Sequence, residues 1–265
     1  MLNLTLFFKT IKAKRFQWLA FSVLGFILLL MYLPVFPSLQ AQASNYDDII
    51  KTLPKGVLSA FNVTESLPTL MGFLASKHFG FVWALMTVLL VGSFASFSLA
   101  KEVENKTLGF LLSQPISRLR LYWVRFFTGL FGLTIFILFS EVATWPLAKL
   151  FNYSAPFSEV FYVGILGFVF GFAILSLGFL FSACFSEASK STSFFSAVLL
   201  IMYIAHIASS LEPSLNSLRY ISIFYYFNPG QVVFDNKLNI SAILALLGTG
   251  LSSSLLGSII FNKRD

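Results

Sequence analysis

Long apolar runs separated by short polar segments dominate the sequence. A run of about 18 or more apolar residues is long enough to cross the hydrocarbon core of a bilayer as a helix. The pattern predicts six such helices, near Gln17 to Phe36, Phe79 to Ala100, Phe126 to Leu147, Phe161 to Phe185, Ser193 to Ala208 and Leu238 to Phe261. We therefore predict an all-α polytopic membrane protein, with residues 1–265 forming a single transmembrane domain.

The N-terminal residues show a different pattern, in which apolar positions recur at helical spacing among basic ones. The apolar stripe consists of Leu4, Phe7, Phe8 and Ile11, and the lysines at 9, 12 and 14 lie largely off it. This spacing predicts an amphipathic helix over residues 1–15, lying flat on the membrane surface. The alternative is a disordered basic tail.

Composition excludes a soluble globule. The chain is 57% hydrophobic and 11% charged, against about 25% charged in soluble domains. A single cysteine, Cys184, rules out an intrachain disulfide framework, and its position in an apolar stretch favours a small buried hydrophobe. The first apolar stretch is longer than the roughly 7 to 15 residues of a signal peptide, so cleavage after Ala43 is disfavoured.

The basic residues are divided unequally between the two sides of the predicted bundle. Twelve of the 18 lie on the side of the termini, which carries a net charge of +8 against −1 for the other side. By the positive-inside rule, both termini are cytoplasmic in a plasma or inner membrane. Segments 37–78 and 211–237 then lie outside, and the net charge of +7 reflects topology and not a nucleic-acid partner.

Several catalytic constellations are missing from the sequence. There is no Gly-x-x-x-x-Gly-Lys-Ser/Thr phosphate loop, so we expect the chain to bind no ATP by itself and to be no enzyme. His78 and His206 have no metal-ligand spacing, and we expect no cofactor. Glu141 and His206 are the ionisable candidates inside predicted spans, and both are expected to reach water near the outer ends of their helices.

The informative segment is the charged stretch Glu102 to Arg125, directly after the second span. It reads as a short cytoplasmic helix that Pro115 stops, followed by Ser117 as the cap of the next helix. A rigid helix and turn that connect directly to two spans could transmit a movement of a soluble partner into the membrane. The alternative is a charged, well-capped turn without a partner.

This stretch resembles the motif of the membrane subunits of type 2 ABC exporters. The matching residues are Glu102, Glu104, Thr107, Leu108, Leu111, Leu112, Ser113, Pro115, Ile116, Ser117 and Arg118. The chain departs from that pattern at Lys106, where glycine is common, and at Arg125, where lysine is common. The resemblance implies a permease that dimerises with itself or a related permease and works with cytosolic ATPase subunits, which bind the ATP and magnesium.

The resemblance also implies roles for particular residues. Segment 101–118 would be the coupling loop that docks into the ATPase, and residues 1–15 would be the elbow helix beside it. The expected coupling residues are Glu102, Glu104, Thr107, Leu108, Leu111, Leu112, Pro115 and Arg118. Spans two and five would face the dimer axis and line the translocation path with Ser93, Phe97, Phe195, Met202, Tyr203 and His206.

The predicted path is rich in phenylalanine and methionine, which suits an apolar or amphipathic cargo such as a drug, a peptide or a lipid-like molecule. Ordinary packing against lipid explains the same composition. Two other functions remain open at this point. The chain could be a non-transporting immunity or signalling subunit with the same architecture, whereas an intramembrane enzyme is disfavoured by the missing catalytic groups.

Overall fold

The computed structural model describes residues 4–41, 52–53, 69–112 and 116–264, and every regular element among them is a helix. Six helices are long and apolar enough to cross a membrane. They are α1 (Leu4–Gln40), α2 (Leu70–Glu104), α4 (Arg118–Leu150), α5 (Phe157–Cys184), α6 (Ala188–Leu211) and α9 (Ile240–Lys263). The prediction of an all-α protein with six candidate spans is confirmed.

Shorter helices lie between the spans. They are α3 (Thr107–Leu112), a 3₁₀ helix (Pro213–Ile221), α7 (Ile223–Tyr226) and α8 (Pro229–Asp235). The predicted outside segment 211–237 is therefore mostly helical. Its Phe227 is fully buried and stacks on Phe170 of α5 at 4.3 Å and on Trp83 of α2 at 5.7 Å, which anchors the segment to the bundle.

The N-terminal amphipathic segment is part of a longer helix. Residues 4–15 continue without a break into the first span, because no glycine or proline interrupts the helix before Gly25. The described residues 4–15 therefore form the first part of α1, and the prediction of a separate elbow helix is not confirmed. Of the apolar stripe, Leu4 and Phe8 are exposed, while Phe7 contacts the ring of Phe131.

The second span begins earlier than the hydropathy pattern predicts. Thr69 caps α2 by accepting a hydrogen bond from the Gly72 N–H at 3.1 Å, so the final part of the predicted outside segment 37–78 is helical. At the other end of that segment, α1 extends to Gln40. Residues 42–51 and 54–68 lie outside the described part of the chain.

Helix α5 is the most buried of the six spans, because its small residues let neighbouring helices approach closely. A Cβ atom added at Gly171 would lie 2.5 Å from Leu133 of α4, and one added at Gly178 would lie 2.6 Å from the Cβ of Ala95 of α2. Both glycines therefore serve helix packing. The bundle is thus built around α5.

Helices α2 and α4 are not regular α-helices throughout. Helix α2 contains π-helical turns at Ala75–Trp83 and Val88–Gly92, and α4 contains one at Leu138–Val142. Such widened turns are rare and occur often at functional sites.

Candidate functional site

The segment after α2 is two helical pieces joined by a sharp turn. Helix α2 ends at Glu104, Lys106 takes a left-handed conformation with φ of 57°, and α3 follows. The expectation of one helix from Glu102 to Pro115 is therefore corrected. Glycine is common in the resembled pattern at the position of Lys106, and glycine adopts this backbone conformation without strain.

The start of α4 follows the sequence prediction. Ser117 is extended, and its hydroxyl accepts a hydrogen bond from the Arg120 N–H at 3.3 Å. The predicted cap is confirmed. Pro115 lies outside the described residues.

Glu102 holds α2 to α4 and to α3. Its Oε1 lies 2.5 Å from Nη2 of Arg125, and its Oε2 accepts a hydrogen bond from the Thr107 hydroxyl at 2.5 Å. The side chains of the ion pair are only 16% and 21% exposed. A half-buried pair of this kind is screened less than a surface pair, so it fixes the relative position of the two helices.

Glu104 holds the end of α2 to the start of α6. Its Oε2 accepts a hydrogen bond from the Ala188 N–H at 2.8 Å, and its Oε1 lies 2.9 Å from Nζ of Lys101. Ala188 is the first residue of α6, whose own cap residue Glu187 makes no side-chain cap. A carboxylate at a helix N-terminus satisfies a free N–H group and opposes the positive end of the helix dipole.

Both carboxylates make contacts within the chain, and together they join α2, α3, α4 and α6. Glu104 remains exposed, and the coupling role of both glutamates stays a prediction. Sequence reasoning missed the pairing with Ala188, because the two residues are 84 positions apart. Arg125 stands where the resembled pattern commonly has lysine, so a basic residue is expected there, but its pairing with Glu102 was not predicted.

Arg264, just beyond α9, is a residue that sequence reasoning missed. Its guanidinium donates to the carbonyls of Ala183 and Phe185 at 3.0 and 2.9 Å and to the Ser186 hydroxyl at 2.5 Å. It therefore closes the C-terminal end of α5. Partial burial lowers the pKa of Arg264, and the positive charge of Arg118 acts in the same direction.

The other predicted coupling residues are only partly described. Leu108 and Arg118 are half-buried, and Nη1 of Arg118 has no hydrogen-bond partner among the described residues. Leu111 and Leu112 lie in α3, although the structure does not describe their side chains. Gly109 is exposed, and a Cβ added there would meet no described residue within 4 Å. Within the described part of the chain, α3 therefore presents an open surface at Gly109.

The predicted path residues differ in their exposure. Ser93 and Phe97 are exposed on α2, and Met202 and Tyr203 of α6 are half-buried. Phe195 is 2% exposed, because its ring fills the space over Gly92, where an added Cβ would lie 2.7 Å from it. In this conformation Phe195 is a packing residue between α2 and α6 and lines no open path.

His206 lies elsewhere, on the wall of a cavity of about 1030 Å³. The cavity is bounded by the end of α6, the segment 213–235 and the start of α9. Its polar and aromatic lining includes Ser209, Asn216, Arg219, Tyr220, Tyr225, Gln231 and Asn239. Of the six predicted path residues, only His206 borders this space.

Arg219 organises part of the cavity wall. Its guanidinium lies 4.8 Å from the ring centroid of Tyr220 and 5.2 Å from that of Tyr225, which are cation–π distances. The guanidinium also donates to the Tyr220 hydroxyl at 2.8 Å, and this contact raises the pKa of Arg219. For Tyr226 nearby, partial burial raises the pKa of the phenol.

The expectation that Glu141 reaches water is wrong. Its side chain is 1% exposed and lies between α4 and α5, against Gly167.

No group of three or more potential metal ligands occurs among the described residues. Neither models of known protein families nor curated proteins give a match to this chain.

Proposed function

We propose that this chain is the membrane-spanning subunit of an ATP-driven exporter of the type 2 ABC class. The observation that carries the proposal is the placement of α3 next to the two glutamates. Helix α3 follows α2 after a two-residue turn, and Glu102 and Glu104 join that same end of α2 to α4 and α6. A displacement of α3 would therefore move three spans together.

The partner in this proposal is a cytosolic ATPase subunit that docks on α3 and holds ATP and magnesium. Support comes from the open surface at Gly109 and from the motif around it. The charge difference of +8 against −1 supports a cytoplasmic position for this loop and for both termini. A second copy of the chain or a related permease completes the translocation path.

The proposed cargo is apolar or amphipathic, such as a drug, a peptide or a lipid-like molecule. Phe97 is 41% exposed on α2, and Met202 and Tyr203 are accessible in part on the neighbouring α6. Flexible thioether and aromatic side chains accommodate cargo by shape more than by fixed polar contacts.

A pair of glycine variants tests the docking of the ATPase. Gly109→Trp adds a bulky side chain to α3, and Gly248→Trp adds the same side chain to α9. At both positions an added Cβ would meet no described residue outside its own helix turn within 4 Å. Both variants should therefore insert and fold. The tagged protein is purified from its native membranes, and co-purifying proteins are identified by mass spectrometry.

We expect the wild-type protein and Gly248→Trp to retain a subunit with a phosphate-binding loop, and Gly109→Trp to lose it. Retention of that subunit by all three proteins would show that α3 is not the docking surface. If wild-type protein brings down no such subunit, the chain is better described as a non-transporting immunity or signalling subunit.

A further inference from the structure

A cluster of polar side chains is buried where α2, α4 and α5 meet. Glu141 is 1% exposed and His78 is fully buried. The Trp83 indole N–H donates to the Ser140 hydroxyl at 2.8 Å, and His78 lies beside the Ser140 backbone. Ionisable groups inside membrane-spanning helices are costly, and they mark functional sites.

The carboxyl group of Glu141 has unusual surroundings. Within the described part of the chain, neither of its oxygens has a hydrogen-bond partner. Both oxygens lie against Gly167 of α5, where an added Cβ would be 2.6 Å from Oε1, 2.7 Å from Oε2 and 2.9 Å from the Trp83 ring. An ionised carboxylate is very costly in such a place, so the group is held as the neutral acid.

Among the described residues, no cation compensates a charge at this position. In the same half of the surrounding helices as Glu141, the ionisable side chains are Tyr32, Lys77, His78, Lys149, Glu159, Tyr162 and Asp235. In the described residues, none of them forms an ion pair with Glu141. The ammonium group of Lys149, the basic residue nearest to Glu141 along α4, lies over the Trp145 ring at 3.7 Å.

The backbone is irregular at both ionisable residues of the cluster. His78 lies in the π-helical turn Ala75–Trp83 of α2, and Glu141 lies in the π-helical turn Leu138–Val142 of α4. A π turn inserts an extra residue and redirects the side chains that follow it. In both helices, the irregular turn thus carries the buried ionisable side chain.

The packing also indicates which ligand fits. A bound metal cation requires a shell of oxygen ligands, whereas the Glu141 oxygens lie against Gly167 and no group of three or more potential metal ligands occurs among the described residues. Binding of a proton adds almost no volume to the carboxyl group, so it needs no extra space beside Gly167. We propose that Glu141 is a proton-binding site inside the membrane, which holds its proton while α5 is packed against it at Gly167 and exchanges it with water when that contact opens.

This inference goes beyond the proposed exporter function and is tested on the purified chain alone. Infrared spectra at pH 7 are compared between wild type, Glu141→Gln and the control Glu159→Gln. Glutamine has nearly the shape of a neutral glutamic acid, so the bundle should remain folded, and the melting temperature checks this. We expect a carbonyl band of a protonated, weakly hydrogen-bonded carboxylic acid in wild type and in Glu159→Gln, and its loss in Glu141→Gln.

The exchange of the proton is measured by transfer into D₂O, since deuteration shifts the carboxylic acid band. We expect slow exchange in wild type and at least tenfold faster exchange in Gly167→Ala, because the added methyl group separates α5 from Glu141. A carboxylate band at pH 7 that disappears in Glu141→Gln would overturn the proposal. So would equal exchange rates in wild type and Gly167→Ala, provided both proteins are folded.

Discussion

The carboxylate of Glu104, at the end of α2, accepts a hydrogen bond from the Ala188 N–H, the first free donor of α6, at 2.8 Å. Through this single contact, a residue at the end of the second span caps the N-terminus of the fifth span. The neighbouring Glu102 makes the equivalent connection to α4 through Arg125. Two acidic residues, separated by Val103, thus connect three spans at the end where α3 begins.

Replacing Glu104 should destabilise the bundle through the exposed N-terminus of α6. Glu104→Ala removes the acceptor for the Ala188 N–H, and the loss of this helix cap should lower the free energy of unfolding. Glu104→Gln should lose less, since its amide oxygen still accepts the bond. Denaturation in detergent measures both variants. The control is Glu187→Ala, which removes an exposed ion pair with Lys190 and should change stability by less than about 0.5 kcal/mol.

The pair of Glu102 and Arg125 should show energetic coupling. The side chains are half-buried and 2.5 Å apart, so a double-mutant cycle with Glu102→Gln and Arg125→Met should give a coupling energy of about 1 kcal/mol or more. The free energy of unfolding is measured for the wild type, both single variants and the double variant. Strictly additive effects would mean that the pair does not hold α2 to α4.

The turn at Lys106 is a site where one substitution should increase stability. The residue has φ of 57°, a conformation that glycine adopts without the steric cost paid by other residues. Lys106→Gly should therefore stabilise the protein by about 0.5 to 1 kcal/mol. The adjacent Asn105 has φ of −77°, and Asn105→Gly should have no such benefit. Thermal unfolding of the two variants distinguishes them, and a loss of stability in Lys106→Gly would contradict the geometry.

The orientation of the chain can be tested by thiol labelling in intact cells. The native Cys184 is replaced by serine, and a single cysteine is introduced at Asn105 or at Lys237, both of which are exposed. The charge distribution predicts that a membrane-impermeant reagent modifies position 237 in intact cells and position 105 only after the membrane is opened. The reverse pattern would place the termini outside.

The six spans could be predicted because each is a long apolar run whose length alone distinguishes it from a soluble helix. The cap at Ser117 was readable because its partner lies three residues away. The continuous α1 was missed, since an amphipathic stripe looks the same in an interfacial helix and at the start of a span.

Local sequence patterns could not predict contacts between residues that are far apart in the sequence. Glu104 and Ala188 meet only because α2 and α6 pack side by side, and Arg264 reaches Phe185 only because α9 packs on α5. The burial of Glu141 likewise depends on Gly167 of another helix. Its place along α4 was predictable, but the covering of its carboxyl group by α5 was not.

The central claim is that a partner acting on α3 moves the spans held by Glu102 and Glu104. Spin labels at Asn105, after α2, and at Lys263, in the last turn of α9, report the distance between these helix ends in a Cys184→Ser background. In the complex with the ATPase, we predict that adding ATP and magnesium shifts this distance distribution, and that the Gly109→Trp variant shows no shift. An unchanged distribution in a complex that is bound and hydrolysing ATP would contradict the claim.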